Sequence, residues 1–176
     1  MDTVTKSDYD ETVKIDPYQK GRWVYYSKVV EIINKEKPCT VLELGSCGGV
    51  APFPMVKGSD TFDLVASRPN WKKTYENLAY EWDATNTPWP IESQKYDMFV
   101  ALQVWEHLGN KQEDAFREVL RVSRSAILSF PYLWNVPNDK SHHMISHKRI
   151  GIWTLGIKPE AVIMAGNRVI YHFKFA

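Results

Sequence analysis

Val41-Leu42-Glu43-Leu44-Gly45-Ser46-Cys47-Gly48-Gly49, read VLELGSCGG, is an apolar run that ends beside a carboxylate and breaks into glycine. The run predicts a short strand, Thr40 to Leu44, of the kind buried on both faces in a parallel sheet. A glycine cluster after such a strand lets the backbone approach a ligand, since no side chain intervenes. From the glycines alone, a plain strand-to-helix turn reads equally well. The Glu43 carboxylate is placed to organise that loop or to meet a cationic group. The dinucleotide fingerprint G-x-G-x-x-G does not fit, because Cys47 stands where its second glycine belongs.

Outward from this stretch, strand and helix patterns alternate. Trp23, Tyr26, Val29, Val30 and Ile33 fall at helical spacing between Arg22 and Lys35, and Pro38 closes that helix. Thr61 to Ala66 reads as a second strand, Lys72 to Asn77 as a short helix and Leu78 to Trp82 as a third short strand. Tyr96 to Leu102 is a clear fourth strand. Asn110 with Glu113 three residues on has capping-box spacing, and Ala115, Phe116, Val119, Leu120 and Val122 make the stripe of the helix that follows. Ser125 to Phe130 is a further buried strand, closed by Pro131. A short helix is expected near His147 to Trp153, and two terminal strands about a Gly166-Asn167 turn. Residues 1 to 16 show no apolar period and read as a flexible N-terminal tail, with one domain over 17 to 176. Such alternation implies an α/β fold, a mainly parallel sheet with helices on its faces. Ligands then bind at the carboxyl ends of the strands.

Composition narrows the function classes. In 176 residues, 22 basic and 21 acidic side chains leave a net charge of +1, which carries no global electrostatic footprint for nucleic acid. The first residues, MDTVTKSDYDETVK, hold no apolar stretch of signal-peptide kind, and no run approaches a membrane span. Two cysteines, Cys39 and Cys47, are too few for a disulfide framework. A soluble cytoplasmic protein is expected.

VLELGSCGG resembles the first motif of the class I S-adenosylmethionine-dependent methyltransferases, with Glu43, Gly45 and Gly49 at matching positions. WDATNTPWP, YDMFVALQVWEHL and REVLRVSRSAILSFPY resemble three later segments of that family, in order, so that the likeness runs from Val41 to Tyr132. A compact, type 11-like member is the nearest description. The resemblance implies a trimmed version of the family's single Rossmann-like sheet, mostly parallel with an antiparallel C-terminal strand and helices on both faces. It also implies S-adenosylmethionine as cofactor, bound across Glu43, Gly45, Ser46, Gly49, Asp83, Ala84 and Gln103. Asp83 would meet the adenine amino group, Ala84 would lie alongside, and Gln103 would line the methionine end. Two departures stand out. Cys47 replaces the middle glycine of the motif. Where the family ends its second strand in an acidic residue for the ribose, this chain runs into Ala66-Ser67-Arg68, leaving Ser67 as the side chain offered.

A sulfonium methyl is already a good electrophile, so such an enzyme mainly holds a nucleophile in line with it and excludes water. Four of the five histidines fall after the fourth and fifth strands: His107, then His142, His143 and His147. One reading makes them caps and loop residues. A second makes His143 or His107 a general base, with Glu106 beside them, for a hydroxyl acceptor. A third is a metal site. Gln103-x-x-Glu106-His107 with a later histidine is similar to the ligand set of small-RNA 3′-terminal 2′-O-methyltransferases, which have glutamate where Gln103 stands. Trp105, Trp134, Trp153 and Tyr132 gather at the same edge, where they either pack or stack on an acceptor. The expected activity is methyl transfer to oxygen or nitrogen of a small-molecule or glycan acceptor. The alternatives are a non-catalytic methyltransferase-like module, or metal-assisted 2′-O-methylation of an RNA end.

Overall fold

A computed structural model describes residues 1–45, 53–63 and 79–175. Seven strands form one sheet in the order β3-β2-β1-β4-β5-β7-β6. The central strand β1 (Val41–Leu44) pairs in parallel with β2 (Asp60–Asp63) on one side and β4 (Met98–Leu102) on the other. The short strand β3 (Tyr80–Glu81) extends the sheet beyond β2, and β5 (Ser125–Pro131) lies parallel to β4. The hairpin β6 (Ala161–Ala165) and β7 (Arg168–Lys174) closes the far side, with β7 antiparallel to β5. The sheet is therefore mostly parallel with an antiparallel C-terminal strand, as the alternation implies.

Side-chain alternation along the strands feeds two cores. Leu42, Leu44, Phe99, Ala101, Ala126 and Leu128 face helix α3 (Gln112–Val122) and helix α4 (His147–Trp153). Val41, Met98, Val100, Ile127 and Ile170 face the opposite way, toward helix α1 (Lys6–Ile15) and helix α2 (Trp23–Glu36). Helix α3 buries Ala115, Phe116, Val119 and Val122, positions three and four apart on one face. Burying a side chain such as Phe116 contributes roughly 1.5–3 kcal/mol.

The structure corrects two expectations. Residues 6–15 are not a tail but helix α1, started by a capping box in which Thr5 accepts from the Asp8 amide and the Asp8 side chain accepts from the Thr5 amide. Its one buried residue, Tyr9, packs against Trp23, Tyr26 and Phe53. A single anchoring ring gives no periodic signal. The capping box expected at Asn110 does not form. Helix α3 begins at Gln112, with Lys111 at the cap and no side-chain hydrogen bond there. The second strand is described over Asp60–Asp63, and residues 64–66 of that expectation, like the helix expected at 72–77, lie outside the described residues.

Candidate functional site

The exits of β1, β4 and β5 and the start of β7 meet at one edge of the sheet, and the functional side chains are delivered there. Gly45 leaves β1 with φ of +68°, a conformation glycine adopts freely. A Cβ at this position would stand 2.5 Å from Val104 Cγ2. The close approach that demands glycine here is therefore made by the exit of β4. Ser46, Cys47, Gly49 and Ser67 lie outside the described residues.

Glu43 is buried at 3% exposure and turns its carboxylate to the α1–α2 side of the sheet. Oε2 accepts the Met55 amide at 2.8 Å, and Oε1 accepts the Val56 amide at 2.8 Å and the Ser59 hydroxyl at 3.0 Å. Burial pushes its pKa up to about 7, against the pull of these donors. Its observed work is to hold residues 55–59 against β1. Asp83 accepts the Thr85 amide and hydroxyl on Oδ1, at 2.9 and 2.8 Å, forming a tight turn. Ala84 next to it is fully buried, and its carbonyl accepts the Trp89 indole N–H. Gln103 takes φ of +58° at the end of β4 and is tied to β5, its Nε2 donating to Ser129 Oγ at 3.2 Å.

After Gln103 the chain makes a 3₁₀ turn, Trp105–His107. Trp105 wedges into the core against Phe99 and Phe116, which drives the neighbouring Glu106 inward. Glu106 is buried at 3% exposure, and neither carboxylate oxygen has a hydrogen-bond partner in another residue. Burial pushes its pKa up to about 8, against the pull of its own backbone N–H first and of Arg168 and Arg22 after it. His142 Nε2 lies 3.8 Å from Glu106 Oε1, and the rings of His107 and His142 meet edge-on at 4.8 Å. Ligand atoms of Glu106, His107 and His142 all fall within 4.8 Å of one another.

The loop from β5 to α4 explains why His142 is the one delivered. Its ends are closed by Leu133 N–H to the Ile145 carbonyl and Met144 N–H to the Trp134 carbonyl. His142 Nδ1 lies 2.6 Å from Asp139 Oδ2. Hydrogen bonds from the Ser141 hydroxyl, foremost, and from the His142 ring hold the Asp139 carboxyl down at about 2, so it is an acceptor at working pH. Asp139 is therefore placed to accept from Nδ1, and Nε2 is the ring nitrogen on the side of Glu106. Trp134 stacks on the His142 ring at 5.8 Å and 13° and fixes its plane. Thus Glu106 and His107 come together with His142, whereas His143 stands outside the cluster with a buried, unpartnered Nδ1. Sequence reasoning missed Asp139, whose spacing of three from His142 was the available signal.

Glu106, His107 and His142 fit a divalent cation. Two imidazoles and a carboxylate with both oxygens unpartnered, one imidazole backed by a carboxylate, match a three-ligand site that keeps an open position. Bonds of ~2.0–2.2 Å would draw these atoms closer than the 4.8 Å over which they now spread.

Among solved structures the chain superposes on several methyltransferases. The methyltransferase domain of bacterial CtHen1-CN matches with a TM-score of 0.61 at 14% identity, over 88% of this chain and 99% of that one. The N-methyltransferase NodS from Bradyrhizobium japonicum, in complex with S-adenosyl-L-homocysteine, matches with a TM-score of 0.61 at 12% identity, over 93% and 90%. The fold is that of the class I S-adenosylmethionine-dependent methyltransferases. A possible histamine N-methyltransferase from Thermotoga maritima shares this methyltransferase fold, with a TM-score of 0.59 at 10% identity over 88% and 93%. No family model matches the chain, and no curated protein does. Among the described residues no helix is long and apolar enough to cross a membrane.

Proposed function

We propose that this chain is an S-adenosylmethionine-dependent methyltransferase whose acceptor, a hydroxyl, is brought to Glu106, His107 and His142. One observation carries the reading. A buried carboxylate without a hydrogen-bond partner faces two imidazoles, at the sheet edge where ligands of such folds bind. A buried polar group left unpartnered is costly, so a cluster of this kind points to a group that completes it. The cofactor lies in this reading across Gly45, Asp83, Ala84 and Gln103, with Glu43 supporting the loop beneath it. The acceptor hydroxyl stands on the far side of the transferred methyl, at the cluster.

A divalent cation held by Glu106, His107 and His142 would act as a Lewis acid on the acceptor oxygen, making its proton easier to lose. The chain's own contribution is to fix the ligands. Asp139 sets the His142 tautomer, Trp134 sets its plane, and Trp105 keeps Glu106 away from water. Gln103, an amide already donating to Ser129, takes no part in this ligand set.

The test is calorimetry of the full chain with S-adenosylmethionine and S-adenosylhomocysteine, with and without Mn²⁺. Saturable binding of both is expected, and Asp83→Ala should weaken it by roughly 1–3 kcal/mol if a buried amino group loses its acceptor. No binding of either compound would instead make the chain a non-catalytic module on a methyltransferase fold.

A further inference from the structure

Two cations near the cluster are not paired with acid. Arg168 opens β7 opposite Pro131, the last residue of β5, so the sheet sets it at the same edge as His142. Its guanidinium lies between two rings, 4.8 Å from the centre of Tyr25 and 5.3 Å from that of Trp134. Nη1 donates to Asn167 Oδ1 at 3.1 Å, while Nε is buried with no hydrogen-bond partner. On the other side of Tyr25 stands Arg22, whose Nη1 donates to the Tyr25 hydroxyl at 3.1 Å. Its Nε donates to the Tyr18 carbonyl at 3.1 Å, and its guanidinium lies 4.0 Å over the Tyr18 ring.

These contacts form a row: Tyr18, Arg22, Tyr25, Arg168, Trp134, His142. Ring and cation alternate as far as Trp134, which stacks on His142 of the cluster. Among the described residues, Arg121 is ion-paired with Glu118 and Arg124 with Asp97, whereas Arg22, Arg117, Arg149 and Arg168 have no carboxylate partner. Of these four, Arg22 and Arg168 are the two that touch Tyr25. Both exert attraction on Glu106, but neither donates a hydrogen bond to it. Two rings hold the Arg168 guanidinium and one ring with two hydrogen bonds holds that of Arg22, and arginine is the side chain whose donor fork matches an oxyanion. One fork satisfies a carboxylate. Two separate guanidiniums flanking a single tyrosine suit a group with more oxygens to share, a phosphoryl group.

We propose that Arg22 and Arg168 are phosphate-recognition residues of the acceptor site, so that the methyl acceptor is a phosphate ester. Its phosphoryl oxygens accept from the two guanidiniums while its hydroxyl reaches Glu106, His107 and His142. The proposal rests on reading that cluster as the place of methyl transfer.

The experiment is calorimetric titration of the full chain with inorganic phosphate, with glycerol phosphate, with a short single-stranded oligonucleotide lacking terminal phosphates, and with acetate as control. Saturable binding of inorganic phosphate but not acetate is expected, and Arg22→Gln and Arg168→Gln should each weaken it ~10-fold or more. Tighter binding of glycerol phosphate would identify a small monoester as the source, and tighter binding of the oligonucleotide a phosphodiester chain. Equal affinity in wild type and both variants, or acetate binding as well as phosphate, would overturn the proposal. Should Arg168→Gln fail to fold, phenylglyoxal labelling of the wild type decides. Phosphate must protect Arg22 and Arg168 in peptide maps, and unchanged labelling overturns the assignment. S-adenosylhomocysteine is titrated into the same samples. Its binding without phosphate binding defeats the arginine pair and leaves the methyltransferase reading intact, while phosphate binding without it does the reverse.

Discussion

Glu43 and Glu106 lie on neighbouring strands' exits, each 3% exposed, and burial raises the pKa of both. Their surroundings are opposite. Glu43 receives three hydrogen bonds, two from backbone amides, and in return clamps residues 55–59 to the sheet. Glu106 receives none from another residue, and faces His142 and His107 instead. A buried carboxylate that is fully satisfied stabilises a fold, whereas one left unsatisfied costs stability. The second kind persists where something outside the apo chain completes it. The comparison therefore sets a structural acid against one that, on the proposed reading, is functional.

The largest effect expected from breaking this comparison is on activity. Glu106→Gln and His142→Ala should each lower the rate of methyl transfer by ~100-fold or more, and a chelator should do the same to the wild type. His143→Ala should cost much less, since His143 stands outside the cluster. The measurement is single-turnover transfer with an acceptor found by screening, with and without added Mn²⁺. Equal losses at His142 and His143, with no response to chelator, would return the histidines to loop residues. Asp139→Asn should weaken Mn²⁺ binding 10–100-fold, because it removes the carboxylate that sets the His142 tautomer.

Next in size is a difference in stability. Glu43→Gln leaves an amide nitrogen facing a backbone or hydroxyl donor, and should destabilise the fold by about 1–3 kcal/mol. Glu106→Gln in the presence of chelator replaces a buried carboxyl that no other residue satisfies, and should leave stability unchanged or raise it. Urea denaturation of the two variants tests the pair together. A loss at Glu106 as large as that at Glu43 would mean that its carboxylate is satisfied in the folded chain.

How much of this was legible in the sequence follows from how local each signal is. Strands β1, β4 and β5 are continuous apolar runs, α2 and α3 carry one-sided stripes, and the hairpin turns on Gly166-Asn167, so each could be read from its own residues. Helix α1 could not, because one ring, Tyr9, docks an otherwise polar helix. The site divides the same way. Glu106 and His107 follow the fourth strand directly, so their place at the edge was readable. Choosing His142 over His143 was not, because adjacent loop residues point different ways and the choice is made by Asp139 and Trp134. Arg22 and Arg168 come from distant parts of the chain and meet only through Tyr25. Gly45 shows a subtler limit. The glycine was legible, but its neighbour is Val104.

The smallest effect is a slope, and it distinguishes the two acids by pH alone. Glu43 is raised from 4.5 to about 7, and Glu106 from 4.5 to about 8. Above pH 4.5 the unfolded chain releases both protons while the folded chain keeps them. Stability contributed by these groups is thus full below 4.5 and is lost as pH rises, at no more than about 1.4 kcal/mol per pH unit for each. From about 7 to about 8 only Glu106 still contributes. Chemical denaturation at pH 5, 6, 7 and 8 with chelator present should therefore show three behaviours. Relative to wild type, Glu106→Gln flattens the curve over the whole window, including between pH 7 and 8. Glu43→Gln flattens it below 7 and keeps the wild-type slope above. Other titrating groups are common to all three proteins and cancel in the differences. If Glu106→Gln keeps the wild-type slope between pH 7 and 8, the proton held there belongs to another group, and the contrast between the two glutamates fails at its central point.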